Sequence, residues 1–272
     1  MANDKVTLAH GAGGKVSQEL MEQVILPAYG NPVLNTLHDG ALVNMKGEVA
    51  FTTDSYVVQP LFFAGGNIGK LAVCGTVNDL SMTGAIPRYL SVGMIIEEGF
   101  PIKDLQTIVS TMKKMADEAG VVIATGDTKV VEKGRGDRLY INTAGIGYLK
   151  VPGLSPKAIR NGDVVILSGT AGDHGTAVML ARSGMMQGTL QSDCAPLNGL
   201  CNAIFAAGGA VRVLRDPTRG GVATTLNEFV EGSDLGIMLE ESAVPVRKEV
   251  RAACDMLGLD PLYCANGSAT RS

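Results

Sequence analysis

The chain predicts a mixed α+β fold in two domains, and three observations carry that expectation. Helix-like and strand-like periodicities interleave along all 272 residues without strict alternation, which fits α+β better than a doubly wound parallel sheet. The stretch 150–162 holds prolines and glycines and no periodicity, so the domains are set at 1–152 and 153–272. Hydrophobic residues make up 46% and charged residues 18%, enough apolar surface for true cores and too much for wholesale disorder.

Taken in order, His10-Gly11-Ala12-Gly13-Gly14 reads as a turn. Ser17 then caps an amphipathic helix carrying Leu20, Met21, Val24 and Ile25 on one side. Residues 49–58 read as a strand bearing Asp54, and 69–83 as a helix with Leu71, Ala72 and Gly75 inward and Asp79 near its end. A strand follows at 89–96. Ile102, Leu105, Ile108, Val109, Met112, Met115 and Ala119 keep helical spacing, and Gly120 stops that helix. Strands at 121–124 and 139–148 flank a loop, Gly126-Asp127-Thr128-Lys129. The second half opens with a strand at 164–167, a glycine loop at 169–175 and a helix from Thr176. A helix at 195–207, a strand at 211–214 ending at Asp216, a helix from Gly221 and a strand at 236–239 complete it.

Net charge is −4 with Lys and Arg scattered, so the basic stripe of a nucleic-acid binder is missing. The five cysteines show no Cys-x-x-Cys spacing, which favours free thiols in a reducing compartment over a zinc site or disulfide framework. Residues 1–5 hold no apolar signal core and no run reaches membrane-spanning length. A soluble, cytoplasmic protein is the expectation.

Asp54, Asp79, Asp127 and Asp216 each lie where an apolar run meets a Gly- or Thr-containing turn. Carboxylates are the hard ligands Mg²⁺ takes together with phosphates and water, although each alone also suits a helix cap or turn. Spacing does not show that they converge. Gly65-Gly66-Asn67-Ile68-Gly69-Lys70 is not a P-loop, because Ala64 stands where glycine is required and Leu71 follows the lysine. Such a loop can cradle phosphate on backbone N–H groups, or simply start a helix. Lys129 shares a side with Asp127 on an extended segment, as charge stabilisation of a phosphoryl group would require; a surface lysine is the plainer reading. Arg219, ahead of a double glycine, stands similarly. His10 and His174 precede glycines and can reach a ligand, whereas His38 sits in a polar loop and is expected to be solvated.

Together the segments 8–14, 53–89, 125–130, 172–175 and 215–221 resemble the hydrogenase-maturation carbamoyl dehydratase HypE family. The phrases Asp54-Ser55-Tyr56-Val57-Val58 and Pro60-Leu61-Phe62-Phe63 are its most specific carriers. The resemblance implies the fold of aminoimidazole ribonucleotide synthetase, thiamine-phosphate kinase and selenophosphate synthetase, with the first domain lending strands to a barrel at a homodimer interface. It implies ATP and Mg²⁺ as cofactors, with Asp54, Asp79, Asp127 and Asp216 around the metal. Phe63, Gly65, Gly66, Asn67, Lys70, Asn78 and Thr128 would line the nucleotide, and Lys129, Asp79, His10 and Arg219 would serve catalysis. The implied reaction dehydrates a carbamoyl group, delivered by the carbamoyltransferase HypF onto a C-terminal cysteine, to a thiocyanate. The cyano group then passes to a HypC–HypD complex and becomes an iron ligand of [NiFe] hydrogenase. A small-molecule kinase of the thiamine-phosphate type and a nucleotide-binding scaffold without turnover are the alternatives. Family members continue after Asn266 with Glu-Gly-Lys and further structure, whereas here Gly267-Ser268-Ala269-Thr270-Arg271-Ser272 follow. The resemblance therefore implies an incomplete second domain without the acceptor cysteine.

Overall fold

The computed structural model describes residues 4–36, 40–184 and 190–266; His38 and the segment 267–272 lie outside the described residues. The first helical stretch runs as α1 (Gly14–Leu20), a π-helical turn and α2 (Leu26–Tyr29). It starts before Ser17, because that hydroxyl works from inside the helix. Its oxygen accepts the Gly13 N–H at 2.9 Å while it donates to the His10 carbonyl at 2.8 Å, closing the preceding turn.

Strand β1 (Val49–Tyr56) is followed by the hairpin β2 (Phe62–Phe63) and β3 (Gly66–Asn67), which hands the chain to α3 (Ile68–Met82). Asn67 caps that helix by accepting the Lys70 N–H at 3.1 Å. Then come β4 (Ala85–Glu97), α4 (Ile102–Ala119), β5 (Val122–Val131) and β6 (Leu139–Leu149). The sheet order is β1-β6-β4-β5, with only the β4/β5 pair parallel. A parallel pair needs a crossover, and α4 supplies it, ending at Gly120 in the left-handed conformation with φ 68°.

Helices α3 and α4 cover one face of the sheet. Leu80, Leu90, Ile96, Leu105, Ile108, Met112, Leu139 and Ile141 are almost wholly shielded there. Gly69 permits the close helix crossing, since a Cβ on it would meet the Ile108 carbonyl oxygen at 2.7 Å. The opposite face, on which Val49 and Phe51 stand level with Tyr148 and Ile146, keeps Phe51 71% exposed.

Two expectations are corrected. Residues 126–129 are not a loop but the middle of β5, paired with Val92, Gly93, Met94 and Ile95 of β4. Gly126 reads as a turn residue in sequence, yet here its missing Cβ leaves room for the Val92 carbonyl, which would otherwise stand 2.4 Å away. The strands expected at 164–167, 211–214 and 236–239 are not formed among the described residues. A strand exists only within a hydrogen-bonded ladder, and these runs form none; Arg212 O accepts a single bond from Ser155 N–H, and Ile166 and Met238 are 87% and 98% exposed.

The second half instead consists of α5 (Asp173–Ser183), α6 (Asn198–Ala206), α7 (Gly221–Val230) and α8 (Lys248–Leu257), joined by extended segments. Helix α8 was not expected, although Val250, Ala253, Cys254 and Leu257 keep helical spacing.

His174 joins the halves. Its ring meets Phe63 edge-on with centroids 5.6 Å apart, and Nδ1 lies 2.9 Å from Ser192 Oγ. Burial pushes its pKa from 6.5 down to about 4. The unfolded chain therefore takes up the proton first, so stability held above about pH 6.5 is lost as pH falls towards 4. We expect the melting temperature to drop over that window, and the drop to flatten in His174→Gln; an equal drop in the variant would assign it to other groups.

Candidate functional site

Side chains on β1 alternate between its two faces, so Thr52, Asp54 and Tyr56 all point toward α3. On α3, Thr76 and Asp79 are three residues apart and share one side of the helix. The strand and helix meet through Thr52 Oγ1, which donates to Asp79 Oδ2 at 3.2 Å, and through Tyr56 Oη, 3.4 Å from Thr76 Oγ1. The segment 216–221 of the second half closes on this pair. Arg219 reaches Asp54 at 3.6 Å with a mostly exposed side chain, and Asp216 is buried.

Three carboxylates thus crowd one place, with Arg215 and Arg219 as the cations that act on them. Burial, and after it the Asp79 charge, pushes the Asp216 pKa up to about 6. Burial likewise raises that of Asp79, against the Thr52 hydrogen bond and with the Asp54 charge adding to it. Crowded hard-oxygen donors whose charge the two arginines only partly offset suit a divalent cation. No three His, Cys, Asp or Glu side chains among the described residues converge closely enough to ligate one ion together. The fit is therefore to a cation held by one or two carboxylates and completed by phosphate and water, the usual habit of Mg²⁺.

Asp127 does not join this cluster. It sits on edge strand β5, three strand spacings from β1, or roughly 14 Å. There Asp127, Thr128 and Lys129 line a cavity of about 320 Å³ with His10, Gly13 and Ser17. His10 is buried, its Nδ1 held by the Thr7 N–H at 2.9 Å. The loop ahead of α3 lies elsewhere again. Lys70 Nζ donates to the Gly65 carbonyl at 2.9 Å, and Gly65, at φ 90°, lies directly against the Ser192 backbone. Phe63 packs on His174, and Gly66 lies against the Phe63 ring and the Lys70 side chain.

Two polar residues of that loop region are engaged within the protein. Asn67 caps α3 and donates to Thr111 Oγ1 at 2.9 Å. Asn78, fully buried, accepts the Leu197 N–H at 2.7 Å and donates to the Ala195 carbonyl at 3.2 Å, tying α3 to the second half.

Sequence reasoning missed Asn266, which builds the floor of the 216–221 turn. Its Oδ1 accepts the Gly172 N–H and its Nδ2 donates to the Thr170 carbonyl, both at 2.7 Å, while its backbone N–H donates to Pro217 O at 2.9 Å. Gly221 presses on the same strap, its absent Cβ lying 2.4 Å from the Leu262 carbonyl. No local pattern marks such a contact, because its partners lie 94 and 96 residues away. Thr52 and Tyr56 were findable from period two around Asp54.

Comparison with known proteins places this arrangement. The N-terminal domain of the AIR synthase related proteins matches residues 37–149, and their C-terminal domain matches residues 160–269. The carbamoyl dehydratase HypE of Rhizobium leguminosarum bv. viciae is 51% identical over 98% of this chain and 77% of its own length. That of Escherichia coli K12 is 46% identical over 97% of this chain and 80% of its own length. A crystal structure of the hydrogenase maturation protein HypE in complex with ATP superposes with a TM-score of 0.94 at 49% identity, covering 96% of this chain and 78% of that one. A HypE–HypF complex superposes at 0.78 with 51% identity, covering 91% and 81%. Thiamine monophosphate kinase of Aquifex aeolicus, 16% identical, shares the fold alone. This chain belongs to the carbamoyl dehydratase HypE family of AIR synthase related proteins.

Proposed function

We propose that this chain carries the ATP-dependent dehydration of an S-carboxamide to a thiocyanate, the step that supplies cyano ligands for [NiFe] hydrogenase. The observation that carries the reading is the crowding of Asp54, Asp79 and Asp216 beside an Arg-bearing turn, on a fold shared with a HypE solved with ATP. An amide oxygen is a very poor leaving group. Its attack on the γ-phosphorus releases ADP; loss of both N–H protons and of phosphate then leaves C≡N on sulfur.

Asp79 and Asp216, with Asp54 beside them, would hold Mg²⁺, which neutralises phosphate charge when bound. Lys129 and Thr128, beside Asp127 and His10, form a second polar group on β5, too far from these carboxylates within one chain to touch a phosphoryl held at that cation. Arg219, already paired with Asp54, is long and exposed enough to turn toward the phosphates. Gly65, Gly66 and Lys70 present the loop to the nucleotide. The partner reading is a homodimer served by HypF and delivering to HypC–HypD in the cytoplasm. The homodimer is supported by the exposed apolar outer face of the sheet and its two open edges, β1 and β5, and the HypF reading by the likeness to a HypE–HypF complex. No helix among the described residues is long and apolar enough to cross a membrane.

The test supplies Mg-ATP and a synthetic peptide ending in an S-carboxamide cysteine. We expect the peptide to lose about 18 Da, the mass of water, as ADP forms. ATP binding without peptide conversion would favour the scaffold reading, and no ATP binding by folded protein would overturn both.

A further inference from the structure

Helix α8 carries Cys254 on its buried side, beside Val250 and Ala253. Cys264 lies in the strap that floors the 216–221 turn. Both thiols are free and buried, and their sulfur atoms are in contact at 3.8 Å. A disulfide brings two such atoms to about 2 Å, so bonding asks for only a short approach. Thr176 Oγ1 stands 3.8 Å from Cys254 Sγ, and the Asp260 carbonyl 3.6 Å from Cys264 Sγ. Burial foremost, with Cys254 adding to it, pushes the Cys264 pKa up to about 11, so at rest the group is a thiol and reacts slowly.

Of the two partners, the strap is the one that gives. Cys254 is fixed within a helix, whereas Cys264 only follows the single 3₁₀ turn Pro261–Tyr263. The strap is also tied directly to the carboxylate site. A Cβ on Gly221 would meet the Cys264 carbonyl oxygen at 2.6 Å, and the Asn266 N–H donates to Pro217 O at 2.9 Å. Any movement of Cys264 therefore passes through backbone contacts to the turn that bears Asp216 and Arg219. We infer that Cys254 and Cys264 form a peroxide-sensitive dithiol, whose closure to a disulfide pulls the strap from the 216–221 turn and weakens Mg-ATP binding. Hydrogen peroxide meets Cys264 first, the less shielded thiol at 6% exposure against 0%. That sulfur takes one peroxide oxygen to become a sulfenic acid, and the first water leaves. The Cys254 sulfur then attacks it, and the hydroxyl departs with the Cys254 proton as a second water. Two thiol hydrogens and two electrons have passed to the peroxide.

The affinity half of the inference rests on the ATP reading above, while the dithiol half stands without it. The reduced chain is treated with hydrogen peroxide, unfolded in N-ethylmaleimide and digested with trypsin. Residues 252–271 form one tryptic peptide that holds both cysteines. It should appear unalkylated and about 2 Da lighter, the mass of two hydrogens. Calorimetry on the oxidised chain should show Mg-ATP affinity about tenfold lower, with both changes reversed by dithiothreitol. Cys264→Ser should show neither change. Two alkylated cysteines in that peptide would overturn the dithiol. A disulfide with unchanged affinity would overturn its link to the turn, and an equal loss in Cys264→Ser would assign the effect to other residues. No ATP binding by the folded, reduced chain would overturn the ATP reading and, with it, the affinity half, leaving the peptide mass to decide the dithiol.

Discussion

Asp216→Asn should melt at a higher temperature than the wild-type chain in cation-free buffer near pH 7.5, and at the same time bind Mg-ATP at least tenfold more weakly. The sign follows from the raised pKa. Asp216 titrates at about 6 in the folded chain against an ordinary 3.8. Its favourable contribution is thus present only below about 3.8 and is lost as pH rises through 6. At neutral pH the buried carboxylate is a charge the fold holds at a cost. A shift of about two units corresponds to roughly 3 kcal/mol at most, and asparagine, still polar and buried, recovers about 1–3 kcal/mol of it. A cation recovers the same energy in the wild type, which is why the residue can be kept for binding at a loss in stability. Differential scanning calorimetry with and without Mg²⁺, and ATP titration, check both halves. A variant that melts lower, or that keeps its Mg-dependent affinity, would remove Asp216 from the cation site.

Asn78→Ala should be the most destabilising change among the residues discussed, by about 2–4 kcal/mol in urea unfolding. The amide is fully buried, and both its ends are used by the segment that leads into α6. Alanine takes from the buried Leu197 N–H the amide oxygen it donates to. That penalty adds to the cavity left by the side chain. Nucleotide affinity should fall only as the fold falls. Unchanged stability with a specific loss of ATP binding would return Asn78 to the nucleotide-lining role the family resemblance gives it.

The sequence by itself determined the first half well, because there local pattern and tertiary environment agree. Helix α4 was legible to the residue at its start and at Gly120, since one apolar face and a left-handed glycine are local properties. Strand β1 and the position of Asp54 on it were legible through period two. The glycine-rich and aspartate-bearing phrases carried the family, because such short motifs keep their chemistry wherever they fold. Only the tertiary structure decided what those residues do together. Gly126 looks like a turn until the Val92 carbonyl is seen in the space a Cβ would take. The apolar runs at 164–167 and 236–239 look like strands, but pairing is a property of two segments, and among the described residues they form no ladder. Asp54, Asp79 and Asp216 come from a strand, a helix and a distant turn, while Asp127 stays at the far edge of the sheet. Convergence of side chains over long chain separations leaves no periodicity to read, so the nearness of the three carboxylates belonged to the packing of α3 and of the 216–221 turn against β1.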